Sequence, residues 1–119
     1  MILVVDDDPS FLENAQEILN RDRRVFLAEN AKQAFKLAED LGFSVALVDL
    51  DLRGQNGFEL IQEMRERFPD LPIIAISGAF QSDTLETAKL FGAVEVLQKP
   101  ITAAWKPVVE RIRATAHRR

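Results

Sequence analysis

A chain of 119 residues, 47% of them hydrophobic, can build one sizeable core but not two. Its formal net charge of -4 argues against a nucleic-acid-binding surface, which needs a basic face. There is no cysteine, and the single histidine, His117, sits in a polar, basic tail, which sets aside disulfides, thiol chemistry, cysteine zinc sites and a buried Ser-His-Asp triad.

In chain order, short apolar runs alternate with amphipathic stretches. Ile2–Val5 reads as a strand that ends at Asp6. Asp8 followed by Pro9 is a helix start, and Phe11, Leu12, Ala15, Ile18 and Leu19 then recur at helical spacing. Val25–Ala28 is a second strand. Asn30 caps a helix with Ala31, Ala34, Phe35, Ala38 and Leu41 inward, and Gly42 is expected to end it in a left-handed turn. Val45–Val48 is a third strand, ending at Asp49. Gly57 precedes a helix with Phe58, Ile61, Met64 and Phe68 on one face, and Pro69 and Pro72 punctuate the next turn. Ile73–Ile76 is a fourth strand, ending at Ser77. A fourth helix is expected from about Ser82 to Phe91, closed by Gly92. Val94–Leu97 is the fifth strand, ending near Lys99 and Pro100. The last helix carries Trp105, Val108, Val109 and Ile112 inward, with Pro107 in its first turn. Its basic end, with Arg111, Arg113, Arg118 and Arg119, reads as a solvated surface that suits the helix dipole.

Five β-α units joined by short connections imply a parallel sheet with helices on both faces: an α/β fold in three layers. Strands one, three and four lack polar alternation, as central strands should, and strands two and five read as edges, so the order is 2-1-3-4-5. A dinucleotide-binding variant is disfavoured, because the first loop, Asp6-Asp7-Asp8-Pro9, lacks the glycines that let a pyrophosphate approach. No apolar run approaches the roughly 20 residues of a membrane span. The N-terminus lacks the basic start and cleavage site of a secretory signal, so a cytoplasmic protein is expected.

Ligands of open α/β sheets bind beyond the carboxyl ends of the strands, where strand order reverses. Asp6 and Asp7 follow strand one, Asp49 and Asp51 strand three, Ser77 ends strand four and Lys99 strand five. The polar residues that interrupt apolar strands thus converge on one sheet edge. Packed carboxylates repel one another unless a cation neutralises them or some protonate. With oxygen donors only, a hard cation fits, and Mg²⁺ is favoured because it uses few carboxylates and keeps several waters. A metal-bound carboxylate facing a lysine and a hydroxyl suits phosphoryl chemistry, for which aspartate is a covalent acceptor.

On these residues the chain resembles the receiver domains of two-component response regulators over essentially its whole length. The matching stretches are Ile2-Leu3-Val4-Val5-Asp6-Asp7-Asp8-Pro9, Ala46-Leu47-Val48-Asp49-Leu50-Asp51-Leu52 with Gly57 eight residues after Asp49, Ile73-Ile74-Ala75-Ile76-Ser77-Gly78, and Leu97-Gln98-Lys99-Pro100. The resemblance implies a flavodoxin-like fold and a single receiver domain over 1–119, with no output domain in this chain. It implies Asp49 as phosphoacceptor and Asp7 as a direct Mg²⁺ ligand, with Asp6 assisting directly or through water. The backbone carbonyl of Asp51 would complete the protein ligands. Lys99 would pair with the phosphoryl group, Ser77 would bond it after phosphorylation and move, and the Lys99-Pro100 peptide would be cis. It implies a phosphorylation switch and not an enzyme on external substrates. A histidine kinase or phosphotransfer protein would be the donor, and an effector or a second copy of the chain would read the face of the fourth helix, fifth strand and fifth helix.

Three positions depart from the family pattern. Arg53 stands where proline is frequent, which predicts a looser loop. Val96 stands where an aromatic residue often reports the switch, so coupling to the readout face must run differently. Asp51 places a carboxylate beside the phosphoacceptor, with expected consequences for phosphoryl lifetime. A phosphorylation-independent interaction module on the same fold is the alternative reading. A stand-alone aspartyl phosphatase is disfavoured, because 119 residues leave no room for a cap domain.

Overall fold

The structure is a computed structural model and describes residues 1–20, 24–79 and 81–116. His117, Arg118 and Arg119 of the basic tail lie outside the described residues. The elements are β1 (Ile2–Val5), α1 (Pro9–Leu19), β2 (Val25–Ala28), α2 (Ala31–Asp40), β3 (Val45–Asp49), α3 (Gly57–Arg67), β4 (Ile73–Ser77), α4 (Thr84–Phe91), β5 (Glu95–Gln98) and α5 (Trp105–Ala116). The strands form one parallel sheet in the order β2-β1-β3-β4-β5, as the hydrophobic pattern predicts.

Alternate strand residues serve opposite faces, because successive side chains of a strand point to opposite sides. Leu3, Val5, Ala46, Val48, Ile73 and Ala75 pack with Leu60, Ile61 and Met64 of α3 and Ala34 of α2. Ile2, Val4, Val45, Leu47, Ile74 and Ile76 pack with Phe11, Leu12 and Ala15 of α1 and Trp105, Val109 and Ile112 of α5. Two cores on one sheet explain why β1, β3 and β4 are apolar at nearly every position.

Local signals explain most helix ends. Asp8 caps α1 by accepting from the Ser10 N–H at 3.0 Å, and Asn30 caps α2 by accepting from the Gln33 N–H at 2.9 Å. Gly92 closes α4 at φ 116°, a left-handed conformation that glycine adopts at no steric cost. Pro107 falls in the first turn of α5, as expected.

Four boundaries or faces differ from expectation. Gly42 does not turn left-handed: α2 ends at Asp40 and Leu41 leaves it in extended backbone. α4 starts at Thr84, because residues 82 and 83 form a turn in which the Thr84 Oγ1 accepts from the Gln81 N–H at 2.9 Å. β5 runs one residue later than the apolar run suggests; Val94 is 43% exposed and serves as its lead-in. On α3 the buried stripe is Leu60, Ile61 and Met64, while Phe58 and Phe68 flank it half-buried.

Candidate functional site

Sheet register assembles the site. Val5 pairs with Val48, Asp49 with Ile76, and Ser77 with Gln98. Asp6, Asp49, Ser77 and Lys99 therefore leave their strands, or end them, at one edge. Asp6, Asp49 and Ser77 are buried there, at 0%, 2% and 3% exposure, and Asp7 is half-buried. Fully solvated loop acids would not be so enclosed.

The Lys99 ammonium bridges two of the acids. Its Nζ lies 2.8 Å from Asp6 Oδ2 and 3.3 Å from Asp49 Oδ2. Backbone N–H groups hold the other oxygens: Asp8 donates to Asp6 Oδ1 at 2.9 Å, and Asp51 donates to Asp49 Oδ1 at 3.1 Å. Burial pushes the Asp6 carboxyl above its ordinary range and the Asp49 charge adds to this, against the lowering influence of Lys99 and the Asp8 N–H. For Lys99 burial favours the neutral amine, but the bond to Asp6 and the attraction of Asp49 outweigh it and raise the ammonium.

Asp6, Asp7 and Asp49 each bring a carboxylate oxygen within 4.8 Å of the others. The Asp6 Oδ2 is buried and, among the described residues, has no partner besides the Lys99 ammonium. Three converging hard oxygens, one with unused acceptor capacity, fit a divalent cation.

Several supports come from contacts between segments distant in the sequence. The Arg53 N–H donates to Asp7 Oδ2 at 2.7 Å, tying the loop after β3 to the loop after β1. The loop expected to be looser at Arg53 has this tether instead, and a proline there would lack the donor. Asn56 caps α3 through the Phe58 N–H at 2.9 Å. Gly57 sits against the chain beside Asp49, where an added Cβ would lie 2.4 Å from the Asp49 carbonyl oxygen and 2.4 Å from Leu50 Cα. Its spacing from Asp49 was visible in the sequence, but the close approach that requires glycine was not. Ser77 Oγ accepts from the Ala79 N–H at 3.2 Å and lines an open cavity with Asp51, Phe58, Thr84 and Thr87. The Asp51 side chain is exposed, Val96 is buried against the α2-α3-α4 core, and the Lys99-Pro100 peptide is cis.

The sequence matches the family model of the response regulator receiver domain over residues 2–106. It is 38% identical over 101 residues to a response regulator receiver protein of Anaeromyxobacter sp. (strain Fw109-5), covering 83% of this chain and 42% of that one. It is 35% identical over 105 residues to the sensor histidine kinase AruS of Pseudomonas aeruginosa, covering 84% of this chain and 10% of that protein. The receiver domain of NtrX from Brucella abortus superposes with a TM-score of 0.88 at 29% identity, covering 97% of this chain and 99% of that one. The chain spans about half the length of the first curated relatives it matches.

Proposed function

The chain belongs to the response-regulator receiver family of two-component systems, and from that premise we propose that Asp49 is its phosphoacceptor. The observation that carries this assignment is the Lys99 ammonium poised between Asp6 and Asp49 at the mouth of the sheet. Asp49 is the acid at the centre of that edge, with one oxygen held by the Asp51 N–H and the other facing the ammonium.

An Asp49 carboxylate oxygen attacks phosphorus, and the bond from phosphorus to the donor breaks, its electron pair leaving with the donor. From a histidine kinase or phosphotransfer protein the broken bond is N–P; from acetyl phosphate it is O–P, releasing acetate. Lys99 offsets charge on the phosphoryl oxygens and holds them in line. The Ser77 hydroxyl turns from the Ala79 N–H to donate to a phosphoryl oxygen, which moves the loop after β4. Asp7 and Asp6, with Asp49 and the Asp51 backbone carbonyl, are the residues that would hold Mg²⁺. When bound, that ion offsets negative charge among the carboxylates and on the phosphoryl group. The protein acts only on its own aspartate, works in the cytoplasm, and presents the α4-β5-α5 face to an effector or to a second copy.

The test is incubation with acetyl phosphate and Mg²⁺, read by intact mass. We expect one added phosphoryl group, none with chelator, and none in Asp49→Asn. Equal labelling of wild type and Asp49→Asn would overturn the assignment.

A further inference from the structure

A third group contacts the Lys99 ammonium. Its Nζ lies 4.7 Å from the centroid of the Phe11 ring, and Phe11 in turn meets Trp105 with centroids 5.9 Å apart and planes inclined by 52°. Both rings are buried, at 6% and 5% exposure. Phe11 lies in the first turn of α1, whose start is set by Asp8, and the Asp8 N–H is held by Asp6. Trp105 is the first residue of α5. The site's lysine thus rests on an aromatic pair joining two helices on the α1-α5 side of the sheet, while residue 96 supplies no ring.

The two carboxylates hold the ammonium at 2.8 and 3.3 Å, and both belong to the acid cluster. Any divalent cation drawn to the acid cluster competes with Lys99 for Asp6 and Asp49. An aromatic face attracts the ammonium through its quadrupole and competes with neither. We propose that Phe11 is a positioning residue for Lys99, and that the Phe11–Trp105 pair carries the position of the ammonium to the first turn of α5. The proposal rests on Asp49 being the phosphoacceptor. When the ammonium shifts toward a phosphoryl group on Asp49, its contact with the Phe11 face changes, and Trp105 feels that change through the ring it touches. This gives α5 a route to the site that does not use the aromatic position of β5.

Trp105 is the sole tryptophan, so intrinsic fluorescence reports on it alone. Beryllofluoride with Mg²⁺ is expected to change Trp105 emission in wild type, to change it in Phe11→Tyr, and to leave it unchanged in Phe11→Met. At saturating acetyl phosphate, Phe11→Met is expected to be labelled roughly threefold to tenfold more slowly, the effect of losing one partly desolvated cation–π contact. Phe11→Tyr restores the rate. Melting curves identify loss of fold, which would slow labelling without restoring selectively in the tyrosine variant. Static Trp105 emission in wild type that labels normally would overturn the proposal, as would wild-type rates in a folded Phe11→Met. Should wild type take up no phosphoryl group, the phosphoacceptor assignment falls, and the contact is judged in the unmodified protein. There Lys99→Met must shift Trp105 emission in wild type but not in the Phe11→Met background; the same shift in both would overturn the proposal.

Discussion

Asp6 is fully buried next to a second carboxylate, and its raised carboxyl sets a pH dependence. A group raised in the folded state stabilises the fold fully below its unfolded value, and that contribution is lost as pH rises through the folded value. The metal-free protein therefore gains from Asp6 on acidification, while Mg²⁺, which would need the ionised form, is expected to bind more tightly as pH rises over the same window. Asp6→Asn is expected to raise the melting temperature of the metal-free protein at neutral pH and to weaken Mg²⁺ binding in calorimetric titration; a lower melting temperature would contradict the reading. Lys99 contributes with the same sign, in a higher pH window. Its raised ammonium stabilises the fold across the neutral range, and the contribution is lost only as pH rises through its folded value. Lys99→Met leaves Asp6 and Asp49 facing each other and is expected to cost roughly 1–3 kcal/mol in denaturant titration, less than a fully enclosed pair would. At Gly57 an added methyl meets backbone rather than a yielding side chain. Gly57→Ala is expected to cost at least about 1–3 kcal/mol and to slow Asp49 labelling, since relief of the clash displaces the chain that carries Asp49. Asp51 remains a candidate for setting phosphoryl lifetime, and equal dephosphorylation rates for wild type and Asp51→Asn would dispose of that role.

The helices are anchored unequally. Side-chain caps from Asp8, Asn30 and Asn56 fix the starts of α1, α2 and α3. Asp83 supplies no such bond to α4, which begins beside the loop that carries Ser77. The first turn of α4 is therefore expected to exchange amide hydrogens faster than that of α3, and to be the segment most altered by beryllofluoride; equal protection of the two would contradict this. Asn56→Ala should cost about 1 kcal/mol without preventing labelling. Elements whose signal lies in one short stretch were legible in the sequence: Asp8-Pro9, Asn30, Gly92 and the apolar strands. The residues Asp6, Asp49, Ser77 and Lys99 were legible as a group because each ends or follows a strand. What was not legible depends on contacts between distant segments. Arg53 looked like the loss of a proline, and its N–H could be seen to hold Asp7 only once two loops were placed together. Phe11 and Trp105 read as ordinary core, since nothing in a helical repeat shows which core residue touches Lys99.

In the molecule as a whole, the acid cluster gathers charge at one edge of a sheet whose two faces are closed by apolar cores. A cation bound there links site to stability. Mg²⁺ at 100 times its dissociation constant is expected to add about 2.7 kcal/mol to unfolding, reversed by chelator, if it binds only the folded chain. No such gain would speak against a preformed cluster. With Val96 buried and no ring at that position, the switch reading and the phosphorylation-independent reading differ in one respect: partner binding on the α4-β5-α5 face responds to beryllofluoride only in the first. The most direct measurement of the central claim is the position of the acyl phosphate. Protein phosphorylated by acetyl phosphate with Mg²⁺ is reduced with borohydride, which converts an aspartyl phosphate to homoserine, and is then mapped by peptide mass. Homoserine is expected at position 49 alone. Homoserine at position 6, 7 or 51, or at none in protein that has gained a phosphoryl group, would contradict it.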